Sequence, residues 1–451
     1  MIVCKFGGTS VGDAAAIQRL VEIVNARQGE RPVLVLSALS RVTNGLLALV
    51  PAHPTERKAQ LTMLMARHED LASTLTAPGE ALEALRADAA AIAERLAGWA
   101  DGSVDAELQD WLVAHGELWS TRLVTAALER AGVPATWVDI RPVMRTGGQC
   151  SRAVPDQAGL PGRAQAVFGP LLDEGRVPVT QGFIGSTVDG RTTTLGRGGS
   201  DYTATLLGAA LEAERVEIWT DVDGIMTADP RIVPEARVLR TTSHLEAAEL
   251  SAFGAKVLHP ATQAPLLERG ITCVVLNSFA PDRPGTTIVS GFRPEPVMGC
   301  SPVRAVSWKP GVTVLNIRSP RMLGASGFLY RLFGVFHEHG VAVDVLASSE
   351  VNVSLTVDAD GPLEALCRDL ESLGEVTLYP NRAIIAVVGV DLRGTRGLAG
   401  RLFQAVREIN IEVISQGASE INVTFVVKAE EGAEAVRRLH REFFGPGEVA
   451  A

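Results

Sequence analysis

The chain of 451 residues is poor in several things, and each scarcity excludes something. Aromatic residues make up 5%, with 3 Tyr. Positive charge is in deficit: 42 Lys and Arg against 52 Asp and Glu give a net charge of −10. That argues against partners held by bulk positive charge, so no nucleic acid is expected. There are 5 Cys (Cys4, Cys150, Cys273, Cys300, Cys367), with no C-x-x-C pair and no His at metal-ligand spacing. They read as reduced thiols, not as a disulfide framework or a zinc site. No apolar run of about 18 residues occurs, so no membrane span is expected. The N-terminus lacks a basic stretch followed by an apolar one, so no signal peptide is expected and the cytoplasm is the expected compartment. There is no G-x-x-x-x-G-K-[ST] loop and no protein-kinase motif set, which excludes those two nucleotide folds.

What is present is an alternation of strand and helix. Ile2-Val3-Cys4, a glycine turn, a helical pattern over 14–27 and the apolar run Pro32-Val33-Leu34-Val35-Leu36 make a βαβ unit with a strand buried on both faces. Residues 55–130 read as mainly helical. Strands return at 135–139, 177–183, 216–221 and 273–276, with a helix over 202–211. This predicts a mostly parallel sheet covered by helices on both faces. A Pro-, Gly- and Arg-rich stretch near 281–302 marks a boundary. Beyond it the chain repeats itself at an offset of 70 residues. Leu332-Phe333 answers Leu402-Phe403, and Ser349-Glu350-Val351-Asn352-Val353 answers Ser419-Glu420-Ile421-Asn422-Val423. Two such copies suit a pair of packed βαββαβ modules with a ligand site at their interface.

Four segments carry candidate chemistry. Lys5-Phe6-Gly7-Gly8-Thr9-Ser10 is either a phosphate cradle, with glycine backbone near the anion and a mobile lysine charge, or a plain strand-to-helix turn. Arg191-Thr192-Thr193-Thr194-Leu195-Gly196-Arg197-Gly198-Gly199-Ser200-Asp201 precedes a helix. Arg197 can fork a carboxylate or phosphate there, and Asp201 is either functional or a helix-start residue. Thr220-Asp221-Val222-Asp223-Gly224 opens at the C-terminal end of a strand, where open α/β sheets bind ligands; it lacks the glutamate of a calcium loop. Lys256 and His259, in Phe253-Gly254-Ala255-Lys256-Val257-Leu258-His259-Pro260, read as an exposed lysine or a phosphate contact and as a packed histidine. Glu117, in a helical stretch, is either a salt-bridged carboxylate or a site for a cationic amino group.

In their order along the chain these strings resemble the aspartate kinases of the amino-acid kinase family, and the two repeats resemble ACT domains. The resemblance implies three parts: a catalytic domain over 1–290, then ACT modules over 303–376 and 377–451, with the strand near 303–307 joining the second module. With no dehydrogenase fingerprint after the repeats, the chain resembles the monofunctional enzymes. The implied activity is transfer of the γ-phosphoryl group of ATP, with Mg²⁺, to the β-carboxylate of L-aspartate, at the head of lysine, threonine and methionine synthesis. By the same resemblance Lys5 and Asp201 are catalytic. Ser37, Thr43, Glu117, Arg197 and Ser200 bind the substrate. Lys5, Gly7, Gly8, Thr220, Asp221, Met226, Arg231 and Lys256 bind the nucleotide, Met226 standing where the family often has Tyr. No protein metal cage is expected. An amino-acid effector, lysine first and threonine as the alternative, is expected at Met322, Phe328, Leu329, Val343, Asp344, Ser348, Ser349 and Glu350. Asp344 in the first repeat is Ile414 in the second, which places a charged effector contact in the first copy. ACT pairing between chains implies a homo-oligomer. Two other readings stand beside this one: another amino-acid kinase such as a glutamate kinase, or an amino-acid sensor with an inactive kinase half.

Overall fold

The computed structural model describes residues 1–75, 79–99, 105–254, 258, 262–291, 300–445 and 449–450. It divides into two compact units.

The first unit contains Met1–Ile225, Arg240–His244 and a stretch closing at Gly291. Its elements are β1 (Ile2–Phe6), α1 (Ala14–Ala26), β2 (Pro32–Leu36), α2 (Val42–Ala48), α3 (Pro54–Leu75), α4 (Glu80–Ala97) and α5 (Ala106–Arg130). There follow β3 (Ala135–Val138), α6 (Leu160–Asp173), β4 (Val177–Gln181), β5 (Ile184–Ser186), β6 (Thr192–Thr194), α7 (Gly199–Ala210) and β7 (Arg215–Thr220). After β8 (Thr241–Ser243) comes α8 (His244–Ala252), which from Leu245 onward belongs to the second unit, and the first unit ends with α9 (Ala264–Arg269), β9 (Thr272–Asn277) and β10 (Thr286–Val289).

The eight-stranded sheet runs β3-β4-β2-β1-β7-β9-β10-β8. All its pairs are parallel except β9 with β10. β1 and β2 are buried along their whole length, as continuous apolar runs in a doubly covered sheet must be. β1 lies between β2 and β7, so the chain turns back on itself in strand order there. The crevice at such a switch point is the usual ligand site of an open α/β sheet.

A paired carboxylate lies inside this core. Glu217 on β7 accepts from Arg27 Nε at 2.7 Å, Arg215 Nη2 at 2.8 Å and Trp219 Nε1 at 3.0 Å. Those donors offset what burying a carboxylate costs. The α1 helix starts where the Asp13 side chain accepts from Ala16 N at 2.8 Å. α5 is buried on almost every face because it lies between α2, α3 and α4 and the strands β3, β4 and β6.

The second unit contains Met226–Leu239, a stretch beginning at Leu245, and the C-terminal residues. Its further elements are β11 (Cys300–Ser301), β12 (Val303–Arg318), α10 (Phe328–Glu338), β13 (Leu346–Ser348), β14 (Asn352–Asp358), α11 (Leu363–Leu370) and β15 (Glu375–Gly389). They continue as α12 (Leu398–Ala405), β16 (Val413–Gln416), β17 (Asn422–Lys428), α13 (Ala429–Phe444) and β18 (Val449–Ala450). The two repeats share one antiparallel sheet, β13-β14-β12-β15-β17-β16. β12 and β15 each serve both copies. The first half of β12 pairs with Ala383–Gly389 of β15, and its second half pairs with β14.

Parts of the chain that precede the repeats in sequence pack here. Ala228 and Val233 lie in one core with Leu439 and Phe443. Thr227 Oγ1 meets His440 Nε2 at 3.0 Å, Arg304 pairs with Glu246 at 3.1 Å, and Asn422 donates to Glu249 at 2.6 Å. Among the described residues no helix is long and apolar enough to cross a membrane. The described cysteines Cys4, Cys150, Cys273 and Cys367 are free thiols.

Candidate active site

The carboxyl ends of β1, β2 and β4 open onto a cavity of about 400 Å³. Lys5, near the end of β1, is buried there, and its Nζ lies 2.6 Å from Asp201 Oδ1. Asp201 stands in the first turn of α7, where the helix dipole favours a carboxylate. The two residues are far apart in sequence. They meet because α7 packs on β1.

The loop after β2 forms another wall. Ser37 N donates to Phe6 O at 3.1 Å and Ser40 N to Gly8 O at 3.0 Å, so this loop is stitched to the glycine turn after β1. A Cβ on Gly8 would lie 2.9 Å from Ala38 O, so the two backbones approach as only glycine permits. From α3, Arg67 Nη1 donates to Ser40 O at 2.6 Å and Nη2 to Gly12 O at 2.7 Å, clamping both loops at once.

Glu117 enters from α5, which can come this close because Gly116 has no side chain. A Cβ there would lie 2.8 Å from that of Ala38. Ser120 Oγ also donates to Ser37 O at 2.8 Å. Glu117 is 3% exposed, and its Oε2 has no hydrogen-bond partner. Burial pushes its carboxyl up to about 8, against the pull of the Ala38 and Glu117 backbone N–H groups. A buried carboxylate oxygen facing a cavity without a donor fits a cationic ligand group. Arg197, in the loop between β6 and α7, lines the same cavity, is exposed, and has no partner among the described residues.

The structure therefore brings Lys5, Gly8, Ser37, Thr43, Glu117, Arg197, Ser200 and Asp201 together around one cavity. Gly7 lies beside it, with its N–H donated to Trp219 O at 3.1 Å. Thr220 and Asp221 close β7 and are outside the cavity lining. Thr220 Oγ1 donates to Asp221 at 3.3 Å. Met226 and Arg231 fall in the second unit. Met226 forms an isolated β-bridge with Val238, and Arg231, 76% exposed in its side chain, pairs with Asp229 at 2.6 Å. Lys256 and His259 lie outside the described residues. Sequence reasoning missed Ser40, Arg41, Asn44 and Phe183, which also line the cavity. The S-R-V-T-N run that follows β2 was the available signal. Among the described residues no cluster of three or more His, Cys, Asp or Glu could hold a metal ion.

The proposed effector residues lie in the second unit. Met322 closes a short 3₁₀ turn, and Leu329 is exposed in the first turn of α10. Ser348 ends β13, with Ser349 and Glu350 exposed just after it. Phe328 is 3% exposed within the core of the first repeat, and Met322 and Val343 pack against that core. Asp344 accepts from Lys309 Nζ at 2.7 Å, and the same Nζ lies 2.8 Å from Asp358.

Comparison with known proteins gives the family. Residues 1–277 match the model of the amino acid kinase family, and residues 385–443 match an ACT domain. The chain is 40% identical over 456 residues to the lysine-sensitive aspartokinase 3 of Escherichia coli (strain K12), covering 98% of this chain and 99% of that protein. It is 34% identical to the chloroplastic aspartokinase 2 of Arabidopsis thaliana over 98% of this chain and 84% of that one. In structure it resembles E. coli aspartokinase III in complex with aspartate and ADP, with a TM-score of 0.89 at 39% identity over 98% of this chain and 100% of the other. The same enzyme in complex with lysine and aspartate gives 0.80, at 40% identity over 98% and 99%. The chain belongs to the amino acid kinase family and, within it, to the aspartokinases.

Proposed function

We propose that this protein transfers the γ-phosphoryl group of ATP to the β-carboxylate of L-aspartate, giving ADP and 4-phospho-L-aspartate. The observation that carries this reading is the gathering around one cavity of the Lys5–Asp201 pair, the Glu117 carboxyl with its Oε2 unpartnered, and Arg197, unpaired among the described residues. Aspartate has one cation and two anions, and the cavity offers one matching group for the cation and several for the anions. Glu117 takes the ammonium group, and Arg197 takes the α-carboxylate in a two-pronged contact. Ser37, Thr43 and Ser200 supply hydroxyls beside them.

A carboxylate is ionised near neutral pH, so no general base is required. One β-carboxylate oxygen forms a bond to the γ-phosphorus as the bond from that phosphorus to the β,γ-bridging oxygen breaks, and the electron pair leaves with ADP. Lys5 offsets the negative charge that moves onto ADP, and Asp201 holds the Lys5 ammonium in place. Catalysis is then positioning plus charge stabilisation. Mg²⁺ would arrive with ATP, and Asp201, which lines the cavity beside Lys5, would help to hold it. Bound, it neutralises phosphate charge.

The ACT repeats are read as the seat of feedback by an end-product amino acid, with lysine first and threonine as the alternative, and as the surface through which chains pair. The cytoplasm is the compartment that fits this activity. Trapping the product with hydroxylamine tests the reading. ATP, Mg²⁺ and aspartate should give a hydroxamate, glutamate should give little, and Lys5→Ala should lower kcat by about 10²-fold. Hydroxamate from neither amino acid would favour a sensor without catalysis.

A further inference from the structure

Three observations meet at Arg41. The residue lines the cavity that holds Lys5, Glu117 and Arg197. Its backbone is left-handed, with φ of 71°, which is disfavoured for any residue bearing a Cβ. The loop cannot relax out of that conformation. Ser40 just before it is held by its N–H on Gly8 O at 3.0 Å and by Arg67 on its carbonyl at 2.6 Å. Just after it, α2 begins, with Gly45 N donating to Arg41 O at 3.0 Å. Glycine would occupy this position without strain. An arginine held here at a cost points to use of its side chain. That side chain is exposed and makes no ion pair or hydrogen bond with the described residues.

Charge balance sharpens the point. Lys5 is matched by Asp201, and Glu117 is held towards its neutral form by burial. Arg41 and Arg197 are left as two guanidinium groups with no counter-ion among the described residues, in a cavity whose proposed ligands are anions.

We propose that Arg41 is a substrate-contacting residue whose guanidinium binds an oxyanion of the reactants, either a carboxylate of aspartate or the γ-phosphate of ATP. This rests on the phosphoryl-transfer reading above. The position of Arg41 between the clamped Ser40 and the start of α2 makes the anchor stiff, so the strain is the cost of aiming the fork into the cavity.

Two variants test it, assayed by ADP release with each substrate varied in turn. Arg41→Gly removes both the strain and the fork. Its Tm should rise by about 2 °C while kcat/KM falls by about tenfold or more. Arg41→Lys keeps the strain and a charge but loses the fork, so Tm should stay and kcat/KM should fall less. A raised KM for aspartate identifies the carboxylate as the partner. A raised KM for ATP or a lowered kcat identifies the phosphate. Unchanged kcat and unchanged KM for both substrates in Arg41→Gly overturn the proposal, and so does lost activity accompanied by a lower Tm. Should the wild-type protein turn over no aspartate, the functional reading fails by itself. Calorimetric titration of sodium pyrophosphate into wild type and Arg41→Gly then decides, with weaker binding in the variant supporting the contact and equal binding overturning it.

Discussion

Glu117 sets stability against function at a single atom. Its pKa in the substrate-free fold is raised from the ordinary 4.5 to about 8. A carboxyl raised in the fold lends its full contribution below about pH 4.5 and loses it as pH rises through 8. The substrate-free protein should therefore lose on the order of 4 kcal/mol over that window. Glu117→Gln should remove that slope, giving a higher Tm than wild type above pH 8, and raise KM for aspartate by about 10²-fold. A wild-type Tm that does not fall relative to the variant between pH 5 and 9 would contradict the burial argument. The same group predicts that binding aspartate releases a proton at pH 7, measurable by calorimetry in buffers of different ionisation enthalpy.

Legibility at this scale was uneven. Lys5, Arg197 and Asp201 stand in glycine-rich strings that the eye finds. Glu117 is marked only by a helix, because the packing that strips its solvent comes from Ala38, far away in sequence. Arg41 is marked only by the S-R-V-T-N run, and Arg67 carries no local signature. One needs a backbone angle to be noticed, and the other needs the two carbonyls it joins.

At the scale of elements, α3 and α5 do more than cover the sheet. α5 delivers Glu117 through the gap at Gly116, and α3 delivers Arg67 to the carbonyls of Gly12 and Ser40. Arg67→Ala should free the glycine turn from the loop after β2 and lower kcat by about tenfold, a misplacement effect. Affinity for ATP should change less than kcat, because Lys5 and Gly8 remain. Steady-state kinetics with ATP varied check this; a pure KM effect would show that the clamp does not govern the reacting geometry.

The helical stretch and most strands could be read from apolar runs and periodicity, since buried parallel strands are short and continuous. The sharing of β12 and β15 between the two repeats was less visible. The 70-residue offset reveals two copies, but which half of a 16-residue strand pairs with which copy is settled by long-range registers. The placement of Met226–Leu239 with the C-terminal unit was also invisible, because its apolar residues Ala228 and Val233 are too few to announce a core.

At the scale of the whole molecule, the chain carries the proposed phosphoryl-transfer site in one unit and the two repeats in the other. Asp344, the carboxylate proposed for an effector, already holds Lys309, and Asp358 shares that lysine. A cationic effector must therefore compete with a tethered ammonium. Inhibition assays with lysine, threonine and both should show which end product acts. Asp344→Asn should raise the inhibitory concentration by about tenfold while leaving the uninhibited rate intact. Full sensitivity in that variant would remove Asp344 from the effector contact.

The central claim is that the β-carboxylate of aspartate attacks phosphorus, and isotope transfer tests it most directly. Aspartate carrying ¹⁸O in its β-carboxylate is incubated with ATP and Mg²⁺, and hydroxylamine then cleaves the product at its acyl carbon. The phosphate released is read by ³¹P NMR. The account predicts phosphate carrying one aspartate-derived ¹⁸O. Unlabelled phosphate formed alongside ADP would mean that water is the acceptor, and would contradict it.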